Sequence, residues 1–147
     1  MRAVFVDTSG WLALILRNDQ YHGAAAEYYR WLREQKMPLV TSDYVLDETY
    51  TRLRYDAGLE TAMVAKAILD EAESMKLLLT KWVDSNIAAK AWELFKQYED
   101  HRISFTDCTS WSICRDLGIQ QAFAFDSHFR LRFVKDSGHV FGRLITS

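Results

Sequence analysis

Four acidic side chains in this sequence are spaced so that they could do chemistry together. Asp7 and Asp126 each follow a short apolar segment, Asp107 opens a helical pattern, and Glu48 lies within another. Carboxylates that converge on one crevice repel each other, so the group is stable only when its charge is compensated, usually by a hard divalent cation. Mg²⁺ or Mn²⁺ held in this way supports phosphodiester hydrolysis, because the cation activates water and stabilises charge at the phosphate.

Apolar segments and helical patterns alternate along the chain, and they determine where the acids would lie. We predict strands over residues 3–6, 39–42, 77–82, 121–125 and 133–145, and helices over 9–17, 21–35, 43–56, 59–74, 84–98 and 106–117. Strands separated by one or two helices predict a parallel α/β sheet with helices on both faces. Ligands bind beyond the carboxyl ends of such strands, which is where Asp7 and Asp126 are placed.

The two acids at strand ends also have plainer interpretations. Asp7 could simply cap the helix after it, although Thr8 or Ser9 could do the same and leave Asp7 free. Asp126 could be a turn residue, since Asp followed by Ser is typical of turns. Neither residue predicts a site by itself, and the prediction depends on the joint order and spacing of the four acids.

The two acids on helices are ambiguous in another way. Asp107 could belong to a helix cap, and Glu48 could form a solvent-exposed pair with Arg52, four residues later. Asp47 precedes Glu48, but adjacent helix positions point about 100° apart, so only one of them can face the site. We predict that Glu48 is the one that does.

Composition limits the class of protein. The 147 residues suit one domain, which we expect to span residues 1–147, and 49% hydrophobic with 26% charged residues is typical of globular proteins. No apolar run approaches the roughly 20 residues of a membrane span, and no signal peptide is evident, so we expect a cytoplasmic protein. A net charge of −2 argues against a protein that coats nucleic acid, but allows a local basic rim.

Cysteines and aromatic residues add two further expectations. Two cysteines, Cys108 and Cys114, are too few for a disulfide framework. They are six residues apart, and on a helix this spacing points their side chains in different directions, so we predict buried thiols rather than a zinc pair. Aromatic residues make up 14% of the chain and include five tryptophans. This excess indicates an interface with another molecule.

Several segments together resemble the PIN-domain family, most closely its VapC-type toxin ribonucleases from toxin–antitoxin pairs. They are residues 6–9 (Val-Asp-Thr-Ser), Glu48 within its helix, residues 103–107 (Ile-Ser-Phe-Thr-Asp) followed by a helix and Gly118, and residues 125–129 (Phe-Asp-Ser-His-Phe). The resemblance covers about residues 3–135. It implies a three-layer α/β/α sandwich with a central, mostly parallel sheet, and a metal-dependent endoribonuclease that leaves a 5′-phosphate and a 3′-hydroxyl.

The resemblance also implies a role for each acid. Asp7, Asp107 and Asp126 match the metal-binding aspartates of the family and would hold Mg²⁺ or Mn²⁺. Glu48 matches the family's glutamate, which binds metal or orients and deprotonates the attacking water. All four acids are therefore predicted to be catalytic.

Supporting and RNA-binding residues are implied in the same way. Thr8 or Thr106 would supply a supporting hydroxyl. Many relatives carry a further Asp or Asn where this chain has His128, which could contact phosphate or be an ordinary histidine at a strand end. The basic side chains that we predict to contact RNA are Arg102, Arg130 and Arg132.

Three partners follow from the resemblance: an RNA substrate, a small VapB-like antitoxin that blocks the site, and a second copy of the chain in a homodimer. Aromatic residues on the helices near the first strand are candidates for a groove that receives the antitoxin tail. These are Trp11, Tyr28, Tyr29, Trp31 and Tyr50.

Other functions stay open at this point. A haloacid-dehalogenase-like phosphatase also begins with an aspartate after its first strand, but it needs a second aspartate two residues later, where this chain has Ser9. A PIN nuclease of RNA processing, outside toxin–antitoxin systems, is a second alternative. A catalytically silent module that binds nucleic acid or protein is a third, and the presence of all four acids argues against it.

Overall fold

The computed structural model describes residues 1–99 and 102–125. Within these ranges the elements are β1 (Val4–Val6), α1 (Thr8–Ile15), α2 (His22–Glu34), β2 (Leu39–Ser42), α3 (Asp43–Ala57), α4 (Leu59–Ser74), β3 (Leu78–Lys81), α5 (Ser85–Gln97), α6 (Phe105–Leu117) and β4 (Gln121–Phe123). All elements predicted within the ranges are present, and their ends differ from the prediction by no more than two residues. The strand predicted over 133–145 lies outside the described residues.

The four strands form one parallel sheet in the order β3-β2-β1-β4, as the alternating pattern predicts. β1 is central, with Val4 beside Leu39 of β2 and Val6 beside Phe123 of β4. From β1 the chain builds β2 and β3 on one side and β4 on the other. The strand order reverses at β1 and β4, and beyond the carboxyl ends of such strands is where sheets of this kind bind ligands.

Helices cover both faces of this sheet. Val4, Phe5 and Val6 are all completely buried, and successive side chains of a strand point to opposite faces, so neither face is open to solvent at β1. This confirms the predicted layered α/β architecture. Cys108 and Cys114 are buried free thiols, as predicted.

Local signals explain where helices begin and end. The Ser42 hydroxyl accepts the Val45 N–H at 3.1 Å and starts α3. Gly118 ends α6 with φ of 66°, a left-handed conformation that glycine adopts without a Cβ clash. Among the helices of the described ranges, none has the length and hydrophobicity needed to cross a membrane.

Candidate active site

Asp7 lies directly after β1 and caps α1. Its backbone N–H donates to the Phe123 carbonyl at 3.1 Å, which extends the pairing of β1 with β4. Its carboxylate accepts from the Ser9 hydroxyl at 3.1 Å and from the Ser9 N–H at 3.4 Å. Of the two possibilities that the sequence left open, the structure therefore shows that Asp7 itself caps α1, rather than Thr8 or Ser9. A carboxylate can cap a helix while exposed to solvent, but the Asp7 carboxylate is buried, so capping alone does not explain its position.

Ser9 connects Asp7 to the end of β4. Its hydroxyl donates to the Asp7 carboxylate and accepts the Phe125 N–H at 2.9 Å. One oxygen thus joins the acid after β1 to the residue that directly precedes Asp126 in the sequence. From the sequence, Ser9 was considered only as a helix cap. The feature that could have indicated its linking role is a hydroxyl placed two residues after an acid at a strand end.

Gly10 lets α1 approach β4 closely. A Cβ at this position would lie 2.3 Å from the Phe123 carbonyl oxygen and 2.8 Å from the Phe123 ring. Glycine is needed here for space, and its helical backbone is otherwise ordinary. Because Gly10 follows Asp7 and Ser9 on the same turn, the close approach determines where the carboxylate sits.

Asp107 lies in the first turn of α6, in a reciprocal cap with Ser104. The Asp107 N–H donates to the Ser104 hydroxyl at 3.0 Å, and the Asp107 carboxylate accepts the Ser104 N–H at 3.3 Å. The interpretation of Asp107 as a capping residue is therefore correct. The cap fixes the orientation of this buried carboxylate and leaves its negative charge in place.

Asp7 and Asp107 interact electrostatically. Burial, followed by the negative charge of Asp107, raises the pKa of Asp7 from an ordinary 3.8 to about 7, against the hydrogen bonds from Ser9 and Thr8. Without a cation, Asp7 is therefore partly protonated near neutral pH. A divalent cation in place of this proton would relieve the repulsion, so the pair fits the kind of ion that its chemistry predicts.

Two neighbours of the pair strengthen this fit. Burial, and then the charge of Asp7, raises the pKa of the Cys114 thiol well above its ordinary value, so Cys114 stays a neutral thiol and adds no further negative charge to the pair. The Thr8 hydroxyl is buried and has no hydrogen-bond partner among the described residues. Leaving such a group unsatisfied costs about 1–3 kcal/mol, and a hydrated ion beside the acids would supply a partner.

Glu48 lies on a face of α3 that is turned toward α6. Glu48 is half-buried, whereas Asp47 is exposed. One turn before Glu48, the Tyr44 ring lies 6.3 Å from the ring of Phe105, the first residue of α6. This face of α3 is thus directed at the end of α6 that carries Asp107, which favours Glu48 over Asp47 as the inward acid.

The remaining predicted residues fall partly within the described ranges and partly outside them. Thr106 is half-buried at the start of α6, and Arg102 is exposed. The described ranges contain no group of three His, Cys, Asp or Glu side chains placed to hold a metal ion. The predicted residues that lie outside the described ranges are Asp126, His128, Arg130 and Arg132.

A second concave feature lies along the side of α1. It is a cavity of about 750 Å³ between α1, α2 and α4, which we call the α4 groove. Its walls include Trp11 from α1, Tyr29 and Arg33 from α2, and Val64 and Ile68 from α4. The groove shares α1 with the acid site, but its walls are mostly apolar.

Two of the five aromatic residues predicted for an antitoxin groove line this cavity, namely Trp11 and Tyr29. Tyr28 is buried instead, with its ring 5.0 Å from the ring of Phe123. This position on α2 faces the sheet, so its aromatic ring belongs to the core. The other two residues, which do not line the cavity, are Trp31 and Tyr50.

Comparison with known proteins identifies the family. The model of the PIN domain family matches residues 4–132. The 23S rRNA-specific endonuclease VapC20 from two strains of Mycobacterium tuberculosis is 36% identical over 127 residues, which cover 86% of this chain and 91% of the relative. The match excludes the haloacid-dehalogenase alternative.

A solved structure agrees with this result. The crystal structure of Mycobacterium tuberculosis VapC20, described as a sarcin-ricin loop cleaving toxin, aligns with a TM-score of 0.76 at 35% identity. The alignment covers 88% of this chain and 94% of the other. The chain therefore belongs to the PIN-domain family, and it is a nuclease of the VapC toxin type.

Proposed function

We propose that this chain cleaves RNA by metal-dependent hydrolysis, with Asp7 and Asp107 at the centre of its active site. The observation that carries this proposal is the buried pair of like charges beyond the carboxyl ends of β1 and β4. Burying two carboxylates together is costly, and the helix caps that Asp7 and Asp107 form do not require that burial. A catalytically silent module has no use for that arrangement.

Mg²⁺ or Mn²⁺ is the cofactor that these residues fit. Asp7 and Asp107 would hold it together with Asp126, which follows Phe125 directly, and the unpartnered Thr8 hydroxyl supports the same site. When bound, the cation supplies charge compensation and the activation of water for attack on phosphate. The raised pKa of Asp7 supports this assignment, because the acid pair partly holds a proton near neutral pH when no cation is bound.

The other side chains act on water and on the RNA backbone. We assign to Glu48 the orientation of the attacking water and the acceptance of its proton at the carboxylate. In-line attack then leaves a 5′-phosphate and a 3′-hydroxyl. The residues that we propose as contacts to phosphate are His128, Arg102, Arg130 and Arg132, with Thr106 as a support at the start of α6.

The substrate that we propose is a structured loop of ribosomal RNA. The relatives at 36% identity are named as 23S rRNA-specific, and the matching crystal structure is that of a sarcin-ricin loop cleaving toxin. Cleavage of this loop would stop translation, which is the action of a toxin. The protein would meet ribosomes in the cytoplasm, where we place it.

Growth arrest separates a toxin from a nuclease of RNA processing. Induced expression of the chain in a bacterium is expected to stop growth within one or two generations, and Asp7→Asn is expected to abolish the arrest. Asp47→Asn is the matched control, because Asp47 is exposed, and it should arrest growth as the natural chain does. Normal growth with a folded, RNA-cleaving protein would favour the processing nuclease.

A small antitoxin is the partner that we propose for the α4 groove. A toxin requires an inhibitor in its own cell, and this groove presents apolar walls beside the helix that begins at the acid site. An occupant of the groove would need only a short extension to reach Asp7, since Trp11 lies one turn of α1 further on, a rise of about 6 Å.

A homodimer is the second assembly that we propose, through an aromatic surface on α5. Trp92 is 52% exposed and stacks on Phe95 with 5.6 Å between ring centroids, and Phe105 adjoins both. Exposed aromatic clusters of this kind mark interfaces. We expect a dimer by light scattering for the natural chain, a monomer for Trp92→Glu, and an unchanged dimer for Tyr55→Glu, whose side chain is 79% exposed elsewhere.

A further inference from the structure

The central strand β1 is paired with its two neighbours over different lengths. With β4 the pairing continues to Val6 and Phe123, directly before Asp7. With β2 it ends one position earlier, at Phe5 and Val40, although β2 continues to pair with β3 beyond this point. Within the described residues, the last residue of β1 before the acid therefore has a paired residue on β4 and none on β2.

The side chain of Thr41 on β2 closes this gap. Its hydroxyl donates to the Val6 carbonyl at 3.0 Å and accepts the indole N–H of Trp11 at 3.1 Å. Thr41 is completely buried, and Trp11 is nearly so. A buried hydroxyl that both donates and accepts is held in one orientation. One side chain of β2 thus joins the end of β1 to helix α1.

Packing alone does not require a hydroxyl at this position. Val40, the preceding residue of β2, is also completely buried without one. Burying a hydroxyl is costly unless it forms hydrogen bonds. Thr80, which is paired with Thr41 across β2 and β3, provides the contrast, because its hydroxyl is buried and has no hydrogen-bond partner among the described residues. The two bonds of Thr41 are therefore specific to the strand position beside the acid.

These bonds hold the peptide unit that carries the Asp7 nitrogen. The Val6 carbonyl and the Asp7 N–H belong to one planar unit, which moves as a rigid body. Thr41 binds its oxygen from the β2 side, and the Phe123 carbonyl accepts its N–H from the β4 side at 3.1 Å. Trp11 adds a second attachment, since its backbone N–H donates to the Asp7 carbonyl at 3.1 Å. The backbone of the acid is thus fixed from both neighbouring strands.

We propose that Thr41 is a positioning residue of the acid site, which orients Asp7 for metal binding by holding the peptide unit between Val6 and Asp7. The inference rests on the proposed function, since it takes Asp7 to be a metal ligand. Thr41 is completely buried, so it acts through the backbone of Asp7 and does not contact RNA.

Amide hydrogen exchange in the metal-free full chain tests this role directly. Thr41→Val removes the hydroxyl, so exchange at the Asp7 N–H should become about tenfold faster as its peptide unit loses one attachment. Thr41→Ser keeps the hydroxyl and should exchange like the natural chain. Thr80→Val is the matched control, because it makes the same substitution at the paired residue of β3, whose hydroxyl holds no group of the described structure.

Metal affinity and kinetics provide a second measurement. By calorimetry, Thr41→Val should bind Mn²⁺ about tenfold more weakly, at the lower end of the range for residues that orient metal ligands. At saturating Mn²⁺, kcat for RNA cleavage should fall while KM stays unchanged, because a completely buried residue cannot contact the substrate. Thr41→Ser should regain the affinity, and Thr80→Val should never lose it.

Trp11→Phe keeps the test decisive if Thr41→Val does not fold. It retains an aromatic ring and removes the indole N–H that orients the Thr41 hydroxyl. Exchange at Asp7 and Mn²⁺ affinity should therefore change in the same direction as in Thr41→Val, by a smaller factor. Natural values of both in a folded Trp11→Phe would count against the inference.

The outcomes separate this inference from the proposed function. Natural exchange at Asp7, or natural Mn²⁺ affinity, in a folded Thr41→Val would overturn the inference even if the variant were less stable to urea. Equal losses in Thr41→Val and Thr41→Ser would also overturn it, since the methyl group would then be responsible. A natural chain that neither binds Mn²⁺ nor cleaves RNA would contradict the proposed function, while the metal-free exchange would still decide whether Thr41 positions Asp7.

Discussion

The two concave regions beside α1 are incomplete in opposite ways. At the start of this helix, Asp7 and Asp107 bury two charges of the same sign, and the resulting repulsion calls for a cation. Along its side, Val64 and Ile68 expose apolar surface in the α4 groove, which we propose to be covered by the antitoxin. The short helix α1 thus lies between the acid site and the α4 groove, so a substitution can disrupt one of them without the other.

The largest expected effect separates catalysis from capping at Asp107. Asp107→Asn keeps an acceptor for the Ser104 N–H but removes a metal-binding charge, so RNA cleavage should fall by about 10²–10³-fold or more. Asp84→Asn is the matched control, since the Asp84 carboxylate caps α5 by accepting the Ile87 N–H at 2.8 Å. Initial rates on an RNA hairpin measure both variants, and equal rates would reduce Asp107 to a structural cap.

A smaller effect is expected at Ser9. Ser9→Ala removes the hydroxyl that donates to Asp7 and accepts from the Phe125 N–H, so the carboxylate loses its orientation. Residues that orient metal ligands typically contribute 10–100-fold to affinity or activity. We expect a loss of about this size in metal affinity, measured by Mn²⁺ titration, with unchanged binding of the antitoxin in the α4 groove.

A substitution at Gly10 should lower the stability of the fold. Gly10→Ala places a Cβ 2.3 Å from the Phe123 carbonyl, so α1 must move away from β4 at a cost of about 1–3 kcal/mol in the free energy of unfolding. Gly23→Ala on α2 meets no atom within 4 Å and should be neutral or slightly stabilising. Urea unfolding compares the two, and a stable Gly10→Ala would show that the close approach is unimportant.

The most gradual effect concerns pH. The pKa of Asp7 is higher in the folded chain, about 7, than its ordinary 3.8. Its contribution to stability is therefore fully present below about pH 4 and is lost as the pH rises through 7, at no more than about 1.4 kcal/mol per pH unit. Urea unfolding in EDTA should show this decline, which Mn²⁺ should reduce and Asp7→Asn should remove.

The sequence predicts the elements of this fold because local patterns decide them. The burial of β1 and the apolar faces of the helices follow from periodicity, and helix ends follow from residues such as Ser42 and Gly118. The strand-end position of Asp7 follows from topology, since parallel strands direct their carboxyl ends to one edge. The PIN-domain assignment made from these segments is confirmed.

Contacts between distant segments could not be predicted in the same way. Ser9 and Phe125 are 116 residues apart, and their hydrogen bond depends on the packing of α1 against β4. Gly10 looks like any helical glycine until Phe123 lies beside it. The exposed side chains of Val64 and Ile68 on α4 look like ordinary helix hydrophobicity in the sequence, because only the packed structure distinguishes the covered face of a helix from the open one. The roles of Asp126 and His128 stay predictions.

Cleavage of an RNA hairpin that carries the sarcin-ricin loop tests the central claim most directly. With purified chain and Mn²⁺, we predict a single cut in the loop that leaves a 5′-phosphate, no cut in a hairpin with a scrambled loop, and no cut after EDTA. Asp7→Asn should be inactive at every Mn²⁺ concentration, while the exposed control Asp47→Asn should match the natural chain. Cleavage that persists in both EDTA and Asp7→Asn would contradict the assignment of the buried acid pair as the active site.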